Sequence, residues 1–141
     1  IEEWGYKFHM NDVCATVGIE NMKHADDIIS KHRENGKYYD ENLKDVNGVT
    51  LLERDKGFDS AFWIYSMLVE NRDGFYKHME KHNISVSQVH ERNDKHTSVR
   101  EFVSNLPNLD KTIGKIVSIP VGWWVTPEDR QYIVETIKKG W

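Results

Sequence analysis

Residues 5–22 read GYKFHMNDVCATVGIENM. Physically this is an extended lead-in followed by a helix start. Asn11 is a good N-cap, because its short side chain can accept from a backbone N–H of the first turn. Asp12 follows in that turn, where a negative charge complements the helix dipole. Ahead of the cap, Lys7 and His9 alternate along the extended segment and project to the same side. Two potentially cationic groups beside a helix N-terminus suit an anion such as phosphate. The competing reading is an exposed strand with solvated charges, and composition alone favours it.

Downstream, apolar residues fall at Val13, Val17, Met22, Ala25, Ile28 and Ile29, close to a 3.6-residue period. The pattern continues through His32, Tyr39 and Leu43. It predicts one long helix that buries this stripe and is weakest at Gly36, where glycine costs about 1 kcal/mol relative to alanine. Asn47-Gly48 signals a turn, and residues 49–52 a short strand. Residues 61–69, rich in aromatic and β-branched side chains, read as a central strand. A helix is expected from Arg72 to about His82 with Phe75, Tyr76 and Met79 buried. Residues 84–89 alternate like a strand, 99–106 suggest a short helix, and 116–119 form a strand that Pro120 stops.

The last helix has the clearest start. Thr126 can cap it, Pro127 suits its first position, and Asp129 completes a near capping box. Tyr132, Ile133 and Ile137 form its expected buried stripe. The resulting fold class is α/β: a small, mostly antiparallel sheet of about four strands, with helices packed on one face and a long helix in front. One domain is expected over 1–141, with residues 1–46 as leading segment and long helix and 47–141 as the α/β part.

The chain has 141 residues with a formal net charge of −4, which offers no basic field for nucleic acid or an acidic membrane. No apolar run approaches the roughly 20 residues that cross a bilayer. The single cysteine, Cys14, rules out an internal disulfide framework and reads as a small core residue. A reducing, cytoplasmic setting follows as the expectation.

The seven histidines raise the question of a metal. His78 and His82 share a helix face, but two further converging ligands would be needed, so solvated histidines are the preferred reading. No serine sits in a Gly-flanked elbow and no Gly-rich phosphate loop is present. The stretch His90-Glu91-Arg92-Asn93-Asp94-Lys95-His96 is wholly polar. Most such loops are simply solvated, yet long ones at a strand end are also where ligands are held. Trp123-Trp124 adds aromatic area that can stack on a flat ring or fill an interface.

Residues 5–22 resemble a stretch of the DegT/DnrJ/EryC1/StrS sugar aminotransferases, with Gly5, Tyr6, Met10, Ala15 and Gly18 matching. Lys7 is a familiar variant there, and His9 departs from the usual Arg or Asn. The resemblance runs on in order through His32, Arg33 and Tyr39, Phe62-Trp63-Ile64-Tyr65, Asn71-Arg72-Asp73, Asn83-Ile84-Ser85, Ser118-Ile119-Pro120-Val121 and Thr126-Pro127-Glu128-Asp129. It implies the C-terminal domain of an aspartate-aminotransferase-type fold. The pyridoxal 5'-phosphate Schiff-base lysine would lie upstream, so no catalytic residue is expected here. By resemblance, Lys7 and His9 contact the cofactor across a homodimer. His90, Arg92, Asn93 and His96 line the nucleotide-sugar pocket, Lys95 being the other candidate for the family's histidine. The implied parent aminates keto-sugar nucleotides. The alternatives are a dehydratase of the same fold and a stand-alone interaction domain derived from the family.

Overall fold

The computed structural model describes residues 2–3, 5, 10–54, 57 and 59–141. Lys7 and His9 lie outside the described residues.

Helix α1 spans Asp12–Met22, and its cap is as expected: Asn11 Oδ1 accepts from the Cys14 N–H at 2.9 Å. The helix then stops. His24, at φ −108° and ψ 1°, leaves helical geometry, and α2 begins afresh at Ala25–Leu43 with Asp26 and Asp27 in its first turn. The long helix is therefore two helices, and its break is at Lys23-His24 instead of Gly36. Gly36 is buried in an unbroken α2, and a Cβ there would stand 2.5–2.7 Å from the Phe62 ring. Glycine makes room for that ring. The apolar stripe also behaves differently from its expectation. No residue of α1 is buried, and Val13, Val17, Ile19 and Met22 are all exposed, as is the Cys14 thiol.

Strand β1 spans Val49–Leu51, following Gly48 at φ +79°, a left-handed turn position that glycine occupies without strain. β2 spans Tyr65–Val69, shorter than expected. Phe62 has φ +47°, which takes residues before it out of the extended region and turns its ring onto α2. β3 spans Ile116–Ile119. The sheet is three-stranded and antiparallel in the order β1-β2-β3, with Leu51 opposite Met67 and Tyr65 opposite Ile119.

The strand expected at 84–89 is reduced to one bridge, Ser87 to Ser118. Burial still alternates there, Ile84 in and Ser85 out, so the period was real. Just beyond the bridge the Gln88 side chain is taken by Arg72 and by the His90 carbonyl.

Helix α3 spans Arg72–Lys81 and buries Phe75 and Met79. The helix expected at 99–106 becomes a 3₁₀ turn, Thr97–Phe102, and a short helix α4, Pro107–Thr112. Phe102, Val103 and Leu106 are exposed, so no apolar stripe holds a longer helix together. Helix α5 spans Pro127–Lys138 with a complete capping box: Asp129 N–H donates to Thr126 Oγ1 at 3.1 Å, and Thr126 N–H donates to Asp129 Oδ2 at 3.0 Å. Its buried stripe is Ile133, Val134 and Ile137; Tyr132 is exposed.

Alternate residues of β2, Tyr65, Met67 and Val69, enter one core with Tyr39 and Leu43 of α2, Phe75 and Met79 of α3, and the α5 stripe. Strand alternation thus fixes which side meets the helices. The intervening Ser66 pairs with Ser118 through their hydroxyls at 2.9 Å, so both buried oxygens are satisfied.

Candidate functional site

The polar stretch at 88–96 leaves the sheet edge and returns through the 3₁₀ turn to α4. Two arginines hold it. Arg72, in the first turn of α3, donates through Nη1 to Gln88 Oε1 at 2.8 Å and to the Ile113 carbonyl at 2.9 Å. Gln88 in turn donates through Nε2 to the His90 carbonyl at 3.0 Å. Further along, Arg92 Nε and Nη2 donate to the two oxygens of Asp94, at 2.8 and 2.6 Å. Its Nη1 donates to Asp110 of α4. Lys95 pairs with Glu91.

The electrostatics follow the bonding. The Arg92 guanidinium holds the Asp94 carboxyl below its usual range, and Lys95 does the same for Glu91. Asp94 and Asp110 in return raise Arg92 further. Of the residues expected to meet a nucleotide sugar, His90, Arg92, Asn93 and His96 therefore share one loop. Arg92 is half-buried, and its forked edge is occupied by a carboxylate; the His96 backbone N–H closes the loop on the Asn93 carbonyl at 3.1 Å.

The aromatic pair belongs to a different edge. Trp123 and Trp124 are exposed, and Trp124 stands edge-on to His32 of α2 with ring centroids 6.3 Å apart. The turn that carries them is fixed by Asn35, a buried α2 side chain. Asn35 Nδ2 donates to the carbonyls of Val121, Gly122 and Val125 at 3.3, 3.1 and 3.1 Å. Its Oδ1 accepts from Arg130 at 3.1 Å. Tyr39 reaches the same turn through its hydroxyl, which donates to the Pro120 carbonyl at 2.8 Å.

The histidine pair is not simply solvated. His78 Nε2 bonds the Thr136 carbonyl at 2.9 Å and ties α3 to α5, while His82 Nδ1 bonds the His78 carbonyl of its own helix at 2.8 Å; both rings are half-buried. Among the described residues no group of three or more His, Cys, Asp or Glu converges as metal ligands.

A phosphate-bearing cofactor needs clustered cations and backbone donors. The groove at Lys37, Asp40, Arg54 and Asp59 is the nearest approach among the described residues. There Arg54 is already paired with Asp40 at 3.2 Å and lies over the Phe62 and Tyr65 rings, at 5.0 and 5.4 Å. Arg54 is therefore not free to take such a group.

Sequence reasoning missed Arg72, Gln88 and Asp110. Arg92 and Asp94 are near neighbours of opposite charge, and Glu91 and Lys95 are four apart, so those pairings carried a local signal. Asp110 lies 18 residues from Arg92 and carried none.

The model of the DegT/DnrJ/EryC1/StrS aminotransferase family matches residues 1–138. Among curated proteins the chain is similar to the erythromycin biosynthesis sensory transduction protein EryC1 of Saccharopolyspora erythraea. The two are 26% identical over 141 residues, covering 96% of this chain and 38% of that protein. Among solved structures it is similar to the sugar aminotransferase CalS13 from Micromonospora echinospora, at 40% identity and TM-score 0.90, covering 99% of this chain and 38% of that one. AtS13 from Actinomadura melliaura gives 40% identity and TM-score 0.89, covering 99% and 37%. The chain thus spans less than two-fifths of the length of these relatives.

Proposed function

From the premise that this chain belongs to the DegT/DnrJ/EryC1/StrS aminotransferase family, we propose that it is the C-terminal domain of a pyridoxal-phosphate-dependent enzyme that aminates keto-sugar nucleotides. In that reading it does not transaminate alone. The observation that carries the proposal is the family match over nearly the whole chain, set against the small share of each relative that the chain covers.

When bound, the cofactor supplies the electron sink for amino transfer. The part of this chain is to bind and orient. Lys7 and His9, on the segment leading into α1, would face the cofactor phosphate of a neighbouring subunit in a homodimer. His90, Asn93 and His96 would offer hydrogen-bonding side chains to the sugar nucleotide from the 88–96 loop. No helix among the described residues is long and apolar enough to cross a membrane, and a cytoplasmic setting is part of the same proposal.

The test mixes the chain with pyridoxal phosphate and reduces any imine with borohydride. Scattered, substoichiometric labelling of surface lysines is expected. A stoichiometric adduct at one lysine would overturn the reading of an incomplete site.

One observation favours association as a second role. The exposed apolar residues distributed around α1, Val13, Val17, Ile19 and Met22, together with Met10 just before it, have no cover within the described domain.

A further inference from the structure

On the reading that the 88–96 loop meets a ligand, we propose that Arg92 is a positioning residue: with Asp94 and Asp110 it ties the loop to α4, and it contacts no part of the ligand itself. Three observations lead there. First, the geometry of the guanidinium is satisfied inside the protein. Its Nε and Nη2 edge, the fork that would grip a phosphate, is closed by both oxygens of Asp94, and Nη1 reaches Asp110. Second, the charge balance immediately around Arg92 disfavours an anion. One guanidinium between two carboxylates leaves a net −1. The only other cation of the stretch, Lys95, is neutralised by Glu91. An incoming diphosphate would have to displace carboxylates that are already bonded. Third, the loop is tied a second time at its start, by the chain of bonds from Arg72 through Gln88 to the His90 carbonyl. Arg72 also holds Ile113, immediately after α4. Both arginines thus join the loop to the same short helix region, one from each end.

The consequence is a division of labour. Arg72 and Arg92 set the shape, and the side chains of His90, Asn93 and His96 remain to face a ligand. Those side chains offer hydrogen-bond donors and acceptors, and none of them is a guanidinium or an ammonium. They suit hydroxyl and carbonyl groups better than phosphate.

The experiment uses the chain itself. Amide hydrogen exchange is compared for wild type, Arg92→Gln, Asp110→Asn and Asp110→Glu, alongside the imidazole NMR resonances of His90 and His96. Arg92→Gln and Asp110→Asn are each expected to speed exchange at 88–96 and 107–113 by about tenfold or more, with β2 and β3 unchanged. Both should shift the His90 and His96 resonances and leave those of His78 and His82 in place. Asp110→Glu should restore protection. If neither Arg92→Gln nor Asp110→Asn changes the loop, the proposal fails. If Arg92→Gln does not fold, Asp110→Asn and Asp110→Glu still decide it.

A second arm titrates inorganic pyrophosphate. Wild type and Arg92→Gln should bind it equally weakly, because the guanidinium is occupied by Asp94 and Asp110. A loss of about tenfold or more in Arg92→Gln would show that Arg92 is an anion ligand, and would overturn the proposal. Neither arm involves pyridoxal phosphate, so failure here is distinct from failure of the aminotransferase reading.

Discussion

Two glycines show how far the meaning of one residue depends on what surrounds it. Gly18 lies on the exposed α1 with nothing within 4 Å of an added Cβ. Gly36 lies in α2 under the Phe62 ring, which stacks near Tyr65 with centroids 6.1 Å apart and has no simple retreat. Alanine is worth about 1 kcal/mol over glycine in either helix. At position 18 nothing opposes that gain, so Gly18→Ala should raise helical content, measured by circular dichroism. At position 36 overpacking costs about 1–3 kcal/mol and outweighs it, so Gly36→Ala should lower the urea midpoint. Asn35, next to Gly36, makes the complementary case. Its amide serves three carbonyl oxygens of the tryptophan-bearing turn. Asn35→Ala leaves buried polar groups unpartnered and should destabilise by about 1–3 kcal/mol, read from denaturant unfolding. Exposure of Trp123 and Trp124 to a fluorescence quencher should change in the same variant.

At the scale of elements, α5 is the most explicitly written piece of the chain. Thr126, Pro127 and Asp129 specify its start, and the structure forms every bond of the box. Thr126→Ala should cost about 1 kcal/mol. The pH dependence has a definite sign. The Thr126 backbone N–H and hydroxyl hold the Asp129 carboxyl below its usual range. A carboxyl with a depressed folded pKa contributes stability that is fully present above the ordinary aspartate value of about 3.9. That contribution is lost as pH falls through the lower folded value. Asp129→Asn should therefore flatten the acid limb of melting temperature against pH below about pH 4, and Thr126→Ala should flatten it in part.

The same scale explains what could be read from the chain. Caps at Asn11 and Thr126, the turn at Asn47-Gly48 and the apolar run of β2 are local signals, and each came through. The start of β2 did not, because Phe62 takes a left-handed backbone to reach Gly36, a partner 26 positions earlier in the chain (62 − 36). α2 runs unbroken through Gly36, the expected weak point, where burial under Phe62 outweighs propensity, while the break at His24 had no local signal. In the candidate site, the loop and its histidines were legible as a polar stretch. The bond from Arg92 to Asp110 was not, because charge type alone does not reveal a partner on α4.

For the whole molecule, the contrast is between a well-packed domain and a helix outside it. Residues of α2, β2, α3, β3 and α5 share one core, while α1 buries nothing. Opening free energy should follow that contrast. Amides of α1 should exchange fastest among the helices, and those of β2 slowest, in native-state hydrogen exchange. The exposed apolar residues around α1 should also drive self-association of the chain. Sedimentation should show a mass that rises with concentration, and Val17→Glu should shift it toward monomer. An unchanged monomer at all concentrations would count against any role for those residues.

The non-helical backbone at His24 makes a mechanical point. An α1 of 11 residues is about 16 Å long. A swing of about 10° at this one joint carries its far end by about 3 Å, close to the reach of a hydrogen bond. Whatever α1 is attached to is thus aimed by the torsion angles of a single residue. A change there would re-aim α1 without altering the core that α2, β2, α3, β3 and α5 share.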